Sequence, residues 1–199
     1  MINDSNADAT LGHSESGVHV VRTGHGTHRI ELWGAMPVGW LGNFTRGATR
    51  LSFDIVRGQA KRGAHRRWSA SFEMRSPADA AIVRVDFLAL ARGAGESIAP
   101  VPLELRSFRL TRSGEREGSL ELHLVAHDRV GFLASLLQHL AGFVLFPEEI
   151  SIDTFQGEAR DTVFVSSVGG QSPPPEIEDA LRASLRESVT QRPSYIPGA

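Results

Sequence analysis

Residues 119–165 read SLELHLVAHDRVGFLASLLQHLAGFVLFPEEISIDTFQGEARDTVFV, and their hydrophobic rhythm changes more than once. Leu120, Leu122, Leu124 and Ala126 alternate with Glu121 and His123, the period-two pattern of a half-buried strand. After Asp128-Arg129-Val130-Gly131 the period lengthens. Phe132, Leu133, Leu136, Leu137, Leu140 and Phe143 make one apolar stripe at helical spacing. Ile150, Ile152 and Thr154 return to period two, Gln156-Gly157-Glu158-Ala159 supplies a turn, and Val163 and Val165 continue on a further strand. Ser172 and the three prolines after it mark a helix start, with Ile177, Leu181, Leu185 and Val189 as its apolar stripe. The order is strand, helix, strand, strand, helix.

The same order runs upstream. Ile30 and Leu32 lie on a strand, and Met36-Pro37-Val38-Gly39 leads into a helical stripe of Trp40, Leu41, Phe44, Ala48 and Leu51. Phe53 and Ile55 begin a second strand, and Trp68, Ala70, Phe72 and Met74 alternate on a third. Ser76-Pro77-Ala78-Asp79 has the cap, first-turn proline and acidic residue that open a helix, with Ile82, Val85 and Leu88 on its buried face. A fourth strand is expected near Val101 to Leu110. Val38-Gly39-Trp40-Leu41 and Val130-Gly131-Phe132-Leu133 sit 92 residues apart, and the repeated offset argues for an internal duplication. The expected class is α+β, two ferredoxin-like βαββαβ domains in tandem with helices on one face of antiparallel sheets. Residues 1–17 read as a disordered tail, 18–113 as one domain, 118–190 as the second and 191–199 as a further tail. Val18 to Arg22 alternates too, and Gly24-His25-Gly26 can fold it back onto Ile30 and Leu32. The second half shows no clear fourth strand after Val189, so the early strand is a candidate for that missing edge.

Aligned without gaps from Asp128-Arg129-Val130-Gly131, Thr154, Asp161 and Val165 fall on matching residue types of a known pattern. The second half thus resembles the ACT domain, a small-molecule-sensing module, and most closely the C-terminal repeats of bacterial nitrogen-sensing (PII) uridylyltransferases. The resemblance implies that the loop Asp128, Arg129, Val130, Gly131, Phe132 and Leu133 faces a cleft at a domain or subunit interface. There, amides at the glycine would hold an amino acid's carboxylate while Asp128 meets its ammonium. The physics suits this, because helix-entry amides lack intrahelical partners and the helix dipole favours an anion. The same residues also fit a plain helix-entry turn with Asp128 as its cap, or a protein-contact surface. Two positions depart from the family. Val130 stands where proline is usual, and Phe146 stands where amino-acid binders carry asparagine, with Glu148 or Glu149 as substitute acceptors or simply solvated residues. In the first half Met36-Pro37 replaces Asp-Arg, so that repeat is expected to pack rather than bind, with Trp40 filling the ligand's space.

Composition narrows the function classes. The chain has 199 residues, net charge −2 and no cysteine, which excludes thiolate nucleophiles, disulfides and zinc–thiolate sites. No apolar run reaches membrane-spanning length and the start does not read as a secretory signal, so a cytoplasmic location is expected. Arg57, Lys61, Arg62, Arg66 and Arg67 form a basic stretch without acidic residues, expected on a solvent-facing hairpin and offering an alternative reading as a protein-partner site. The acidic balance argues against a general nucleic-acid binder. His13, His19, His25 and His28 lack zinc-ligand spacing, and His127 beside Asp128 lacks a nucleophile motif, so neither a metal nor catalysis is expected. Gly24-His25-Gly26 lacks the lysine of a phosphate loop. The overall expectation is a regulatory protein, not an enzyme, with no cofactor, that binds a small molecule such as an amino acid. It would pair as a homodimer and act on a separate enzyme or regulator, the alternative being a ligand-free interaction module.

Overall fold

The computed structural model describes residues 16–76, 82, 84–93 and 99–189. In chain order these form β1 (Gly17–Gly24), β2 (Thr27–Ala35), α1 (Trp40–Arg50), β3 (Asp54–Arg62), β4 (Arg67–Arg75), the short α2 (Phe87–Ala91), β5 (Leu105–Arg112), β6 (Leu120–His127), α3 (Phe132–Gly142), β7 (Phe146–Phe155), β8 (Glu158–Ser166) and α4 (Pro175–Glu187). The eight strands make one antiparallel sheet in the order β1-β2-β4-β3-β7-β8-β6-β5. The strands β2-β4-β3 and β6-β8-β7 repeat the ferredoxin-like arrangement, so the α+β class and the tandem organisation stand. Among the described residues no helix is long and apolar enough to cross a membrane.

The inward faces follow from the alternation. Trp68, Ala70, Phe72 and Met74 on β4, and Leu120, Leu122, Leu124 and Ala126 on β6, are buried. The helix stripes cover them: Phe44 stacks on Phe72 with ring centroids 5.0 Å apart, and Leu136 and Leu140 are fully buried. All of these side chains belong to one continuous core that spans both halves. At the centre β3 pairs with β7, with Gly58 opposite Ile152 and Ala60 opposite Ile150. A side chain at Gly58 would meet the Phe72 ring at 2.4 Å, so glycine at this seam lets that aromatic lie against the strand.

Two expectations about the edges are corrected. β1 does turn back on β2, with Val20 opposite Ile30 and Val18 opposite Leu32, but it closes the edge of its own half. The strand expected to finish the first half, β5, pairs instead with β6, Leu110 lying opposite Leu122. Ser113 to Gly118 therefore lies in the hairpin between β5 and β6 rather than between domains. Each half is a ββαββα unit, with the edge strand supplied before the first core strand instead of after the last helix. The reason is local: an antiparallel hairpin needs only a short turn, whereas reaching β2 from α2 requires a crossover.

The basic stretch is also placed differently from expectation. Because β3 sits at the centre of the sheet, Arg57 pairs with Asp153 at 3.1 Å, Lys61 with Glu149 at 3.4 Å and Arg62 with Glu148 at 2.5 Å. These three residues pair across the seam, while Gly63 to Arg66 do form the exposed turn of the β3–β4 hairpin. The helix start at Pro77–Asp79, residues 1–15 including His13, and the expected tail 191–199 lie outside the described residues; Ser16 and Gly17, expected in the first tail, belong to the fold, Gly17 opening β1 and the Ser16 hydroxyl donating to the Ala35 carbonyl at 2.6 Å. Val85 is not helical, since Asp86 restarts a helix by accepting a hydrogen bond from the Ala89 amide at 2.9 Å.

The edge assignment is open to a crosslinking test, because the chain has no native cysteine. Arg109 and His123 are cross-strand partners. An Arg109→Cys/His123→Cys variant should form a disulfide on mild oxidation, read as a loss of two hydrogen atoms in intact mass. If β5 lay against β2, no intramolecular bond would form.

Candidate functional site

The duplication creates two related clefts where the halves meet. One is lined by the second half's helix-entry loop from Asp128 to Ala134 and by Thr45, Thr49, Phe53, Asp54 and Ile55 of the first half. The other is lined by the first half's loop from Met36 to Gly42 and by Leu137, Ala141, Leu145, Phe146 and Pro147 of the second. The two sets correspond at an offset of 92 residues. In both, a glycine in the left-handed region starts the helix, Gly39 with φ 77 and Gly131 with φ 91, and neither helix has a side-chain cap. The reading of Asp128 as a helix cap is thereby excluded. Left-handed geometry without a Cβ penalty is the physical reason for glycine at both positions.

The two clefts differ in room. At Gly131 an added Cβ would lie 3.0 Å from the Thr49 methyl and 3.9 Å from Val101, whereas at Gly39 it would meet nothing within 4 Å. The connector into β5 closes over the Gly131 loop. The Val101 amide donates to the Ser135 hydroxyl at 2.8 Å, and Arg129 donates to the Pro102 carbonyl and pairs with Glu104. The void beside Asp128 and Gly131 is about 30 Å³, room for a water or two. The crevice beside Met36 and Gly39 is about 280 Å³. The degenerate repeat thus has the wider of the two spaces, and Trp40, expected to fill it, is 2% exposed and packs as its floor, its ring 5.2 Å from Trp68.

The chemistry is reversed as well. The narrow cleft gathers Asp54, Asp128 and Asp161, with Thr154. Asp161 follows from period two, since Ala159, Asp161, Val163 and Val165 share the inward face of β8. It is 2% exposed, and no hydrogen bond of ordinary geometry reaches either carboxylate oxygen. Burial, reinforced by Asp128 and Asp153, pushes its pKa up to about 7, with only the nearby Asp153 backbone amide opposing. Asp128 is raised too, by burial first and then by Asp54, with the Thr154 hydroxyl, His127 and Arg75 opposing. Among the described residues no three His, Cys, Asp or Glu side chains converge as a metal site.

The wide crevice carries the opposite sign. Arg46, Arg62 and Arg66 line it beside Trp40, Trp68, Met36, Leu137 and Leu145, and no carboxylate is among its lining residues. Arg62 is held by Glu148, whose other oxygen accepts from the Ser166 hydroxyl at 2.6 Å. Arg46 donates to the Asn43 side-chain oxygen. His65 and Arg66 are consecutive left-handed non-glycine residues, φ 53 and φ 57, an uncommon conformation that sets Arg66 at the crevice. Of the expected site residues, Asp128 to Leu133 all line the narrow cleft, and Arg62 and Arg66 line the wide one. Arg57 and Lys61 lie on the strand of the seam and Arg67 opens β4. The wide crevice was missed because its loop lacks a polar signature. The available signal was the exact repetition of Val-Gly before an apolar stripe.

No family model matches the chain, and no curated protein matches it. Among solved structures it is similar to aspartate kinase from Synechocystis, with 16% identity and a TM-score of 0.47, covering 81% of this chain and 27% of that one. An overlap this loose bears on neither ligand nor activity, and the uridylyltransferase likeness gains nothing from it.

The buried carboxyl gives a pH prediction. Asp161 takes up a proton in the folded state up to pH about 7 but only below 3.8 when unfolded. Its contribution is therefore full below pH 3.8 and lost as pH rises to about 7, a change on the order of 4 kcal/mol. In urea unfolding, wild type minus Asp161→Asn should lose stability steadily across that window and stay level above it. A difference independent of pH would mean that Asp161 is ionised in the fold.

Proposed function

We propose that this chain is a small-molecule-sensing regulatory module whose ligand occupies the crevice between its halves, beside Gly39 and the start of α1. The observation that carries this reading is the crevice itself, about 280 Å³ of space with apolar walls and a few cationic groups. Its size approaches the lower end of the range of small-molecule sites, roughly 300 Å³ and above. Its floor is the first turn of an eleven-residue helix, where amides without intrahelical partners and the helix dipole favour an acceptor group. Ligand there would touch both halves at once, so it would bias how they pack. That differential contact is what a regulatory response requires.

Side-by-side pairing of two domains, which the resemblance places at domain or subunit interfaces, is made here within one chain. The output of such a module passes to a separate enzyme or regulator protein. A second position for an amino-acid ligand is the narrow cleft, where Asp128 and Asp161 complement an ammonium group and the Gly131 and Leu133 amides are left for a carboxylate, the Phe132 amide donating to the Arg129 carbonyl. Occupation of it requires Thr49 to move off Gly131.

A thermal-shift screen of the full chain against metabolites tests the proposal. A ligand at 100 times its Kd adds about 2.7 kcal/mol, which for a chain of this length raises the midpoint by roughly 5–10 °C. Ala141 is exposed on the crevice wall. Ala141→Trp should fill the space and abolish the shift while changing the unliganded midpoint little. Asp128→Asn should leave the shift intact; its loss would assign binding to the narrow cleft, and a silent screen would remove the sensor reading.

A further inference from the structure

We infer that the ligand of the wide crevice is an organic anion with a flat or branched apolar body and no ammonium group, such as an aromatic or branched-chain 2-oxo acid. This deepens the sensor reading and rests on it.

The charges around the space carry the inference. Among the described residues three guanidinium groups line it and no carboxylate does. Arg62 is already neutralised by Glu148. Among the described residues no carboxylate pairs with Arg46 or Arg66, so two positive charges face the space uncompensated. A zwitterionic amino acid would gain from these at its carboxylate but would bring its ammonium to a wall that offers no anionic partner. Burying that ammonium unpaired is costly. The narrow cleft shows the contrast within the same molecule: Asp128, Asp161 and Asp54 stand around the equivalent corner. The position of Asp128 in the second half is that of Met36 in the first, and Asp161, opposite Leu124, corresponds to Ala70, opposite Leu32. The corner equivalent to the one that could meet an ammonium thus has no acid at these positions in the wide crevice, which is lined by arginines instead.

The apolar half of the ligand follows from the remaining walls. Met36, Val38, Trp40, Trp68, Leu137, Leu145 and Pro147 give a lining suited to a ring or branched aliphatic group. Val38 is 81% exposed at the mouth, an apolar side chain placed to cover such a body. The guanidinium planes suit a carboxylate, which they can bind through two parallel hydrogen bonds.

Matched pairs that share a body and differ in the ammonium test the class: phenylpyruvate against phenylalanine, 4-methyl-2-oxopentanoate against leucine, and indole-3-acetate against tryptophan. Affinities for the full chain are read by calorimetry. The expected result is that in at least one pair the anion binds ten times or more tighter than the amino acid. Arg66→Gln and Arg46→Gln should each weaken it by about tenfold or more, the loss of a charge-assisted hydrogen bond. Ala141→Trp should abolish it. Arg109→Gln, on the edge strand β5 and away from the crevice, should change nothing. Amino acids binding as tightly as their partners, with the signal lost in Ala141→Trp, would overturn the ligand class and keep the sensor reading. Amino-acid binding lost in Asp128→Asn but kept in Ala141→Trp would place recognition in the narrow cleft and overturn the inference. No binding in any pair overturns the proposed class.

Discussion

The pairing of β3 with β7 is the constraint on which the rest depends. Each of these strands is the inner edge of its own half, and an unpaired edge leaves a row of backbone donors and acceptors exposed. Joining them turns two four-stranded sheets into one eight-stranded sheet. The join also brings α1 and α3 against each other on the same face. Gly42 of α1 lies near Leu137 of α3, close enough that a Cβ there would stand 4.0 Å away. Because the halves are related by an approximate two-fold, each helix-entry loop is carried to the start of the other half's inner strand. The clefts are consequences of the seam. The ion pairs across it, Arg57 with Asp153, Lys61 with Glu149 and Arg62 with Glu148, use up most of the positive charge of residues 57–67.

From one backbone plan the two clefts have diverged in both volume and sign. Around Gly131 the space is taken by the Thr49 methyl and by the connector into β5, and the polar groups left inside are carboxylates. Around Gly39 no neighbour comes close, and the polar groups are guanidiniums over an aromatic floor. The cost of burying acids together is visible in the narrow cleft, where Asp161 is driven towards its neutral form. The wide crevice has no such penalty, since its arginines lie at the walls, and its floor is the two tryptophans that pack edge to face. Val101 to Glu104 and one threonine methyl decide which of two equivalent corners stays open.

Much of this was legible in the chain. Alternation at Leu120 to Ala126 and at Trp68 to Met74, and the helical stripes from Trp40 and Phe132, gave the elements, because burial on one face forces a residue's period to match its backbone geometry. The repeated Val-Gly at 38–39 and 130–131 gave the duplication. The loop from Asp128 to Leu133 was found, and it does lie between the halves. What could not be read was which loop leaves room. A helix-entry motif reports which backbone amides are exposed along the chain, while the atoms that fill or spare the space come from Thr49 and Val101, distant in sequence. The polar signature pointed to the second loop, and the volume lies at the first.

Edge strands show the same division. The sequence by itself determined that Val18–Arg22 and Val101–Leu110 contain strand-forming residues, since local alternation is a property of neighbours two apart. It did not determine their partners, because an edge strand with one buried face satisfies that pattern against either sheet. Only the tertiary structure decided that β1 closes the first half and β5 the second, and with them the path of the connector across Gly131. Short hairpins cost less chain entropy to close than long crossovers, and that preference acts on the folded topology as a whole rather than on any single stretch of residues.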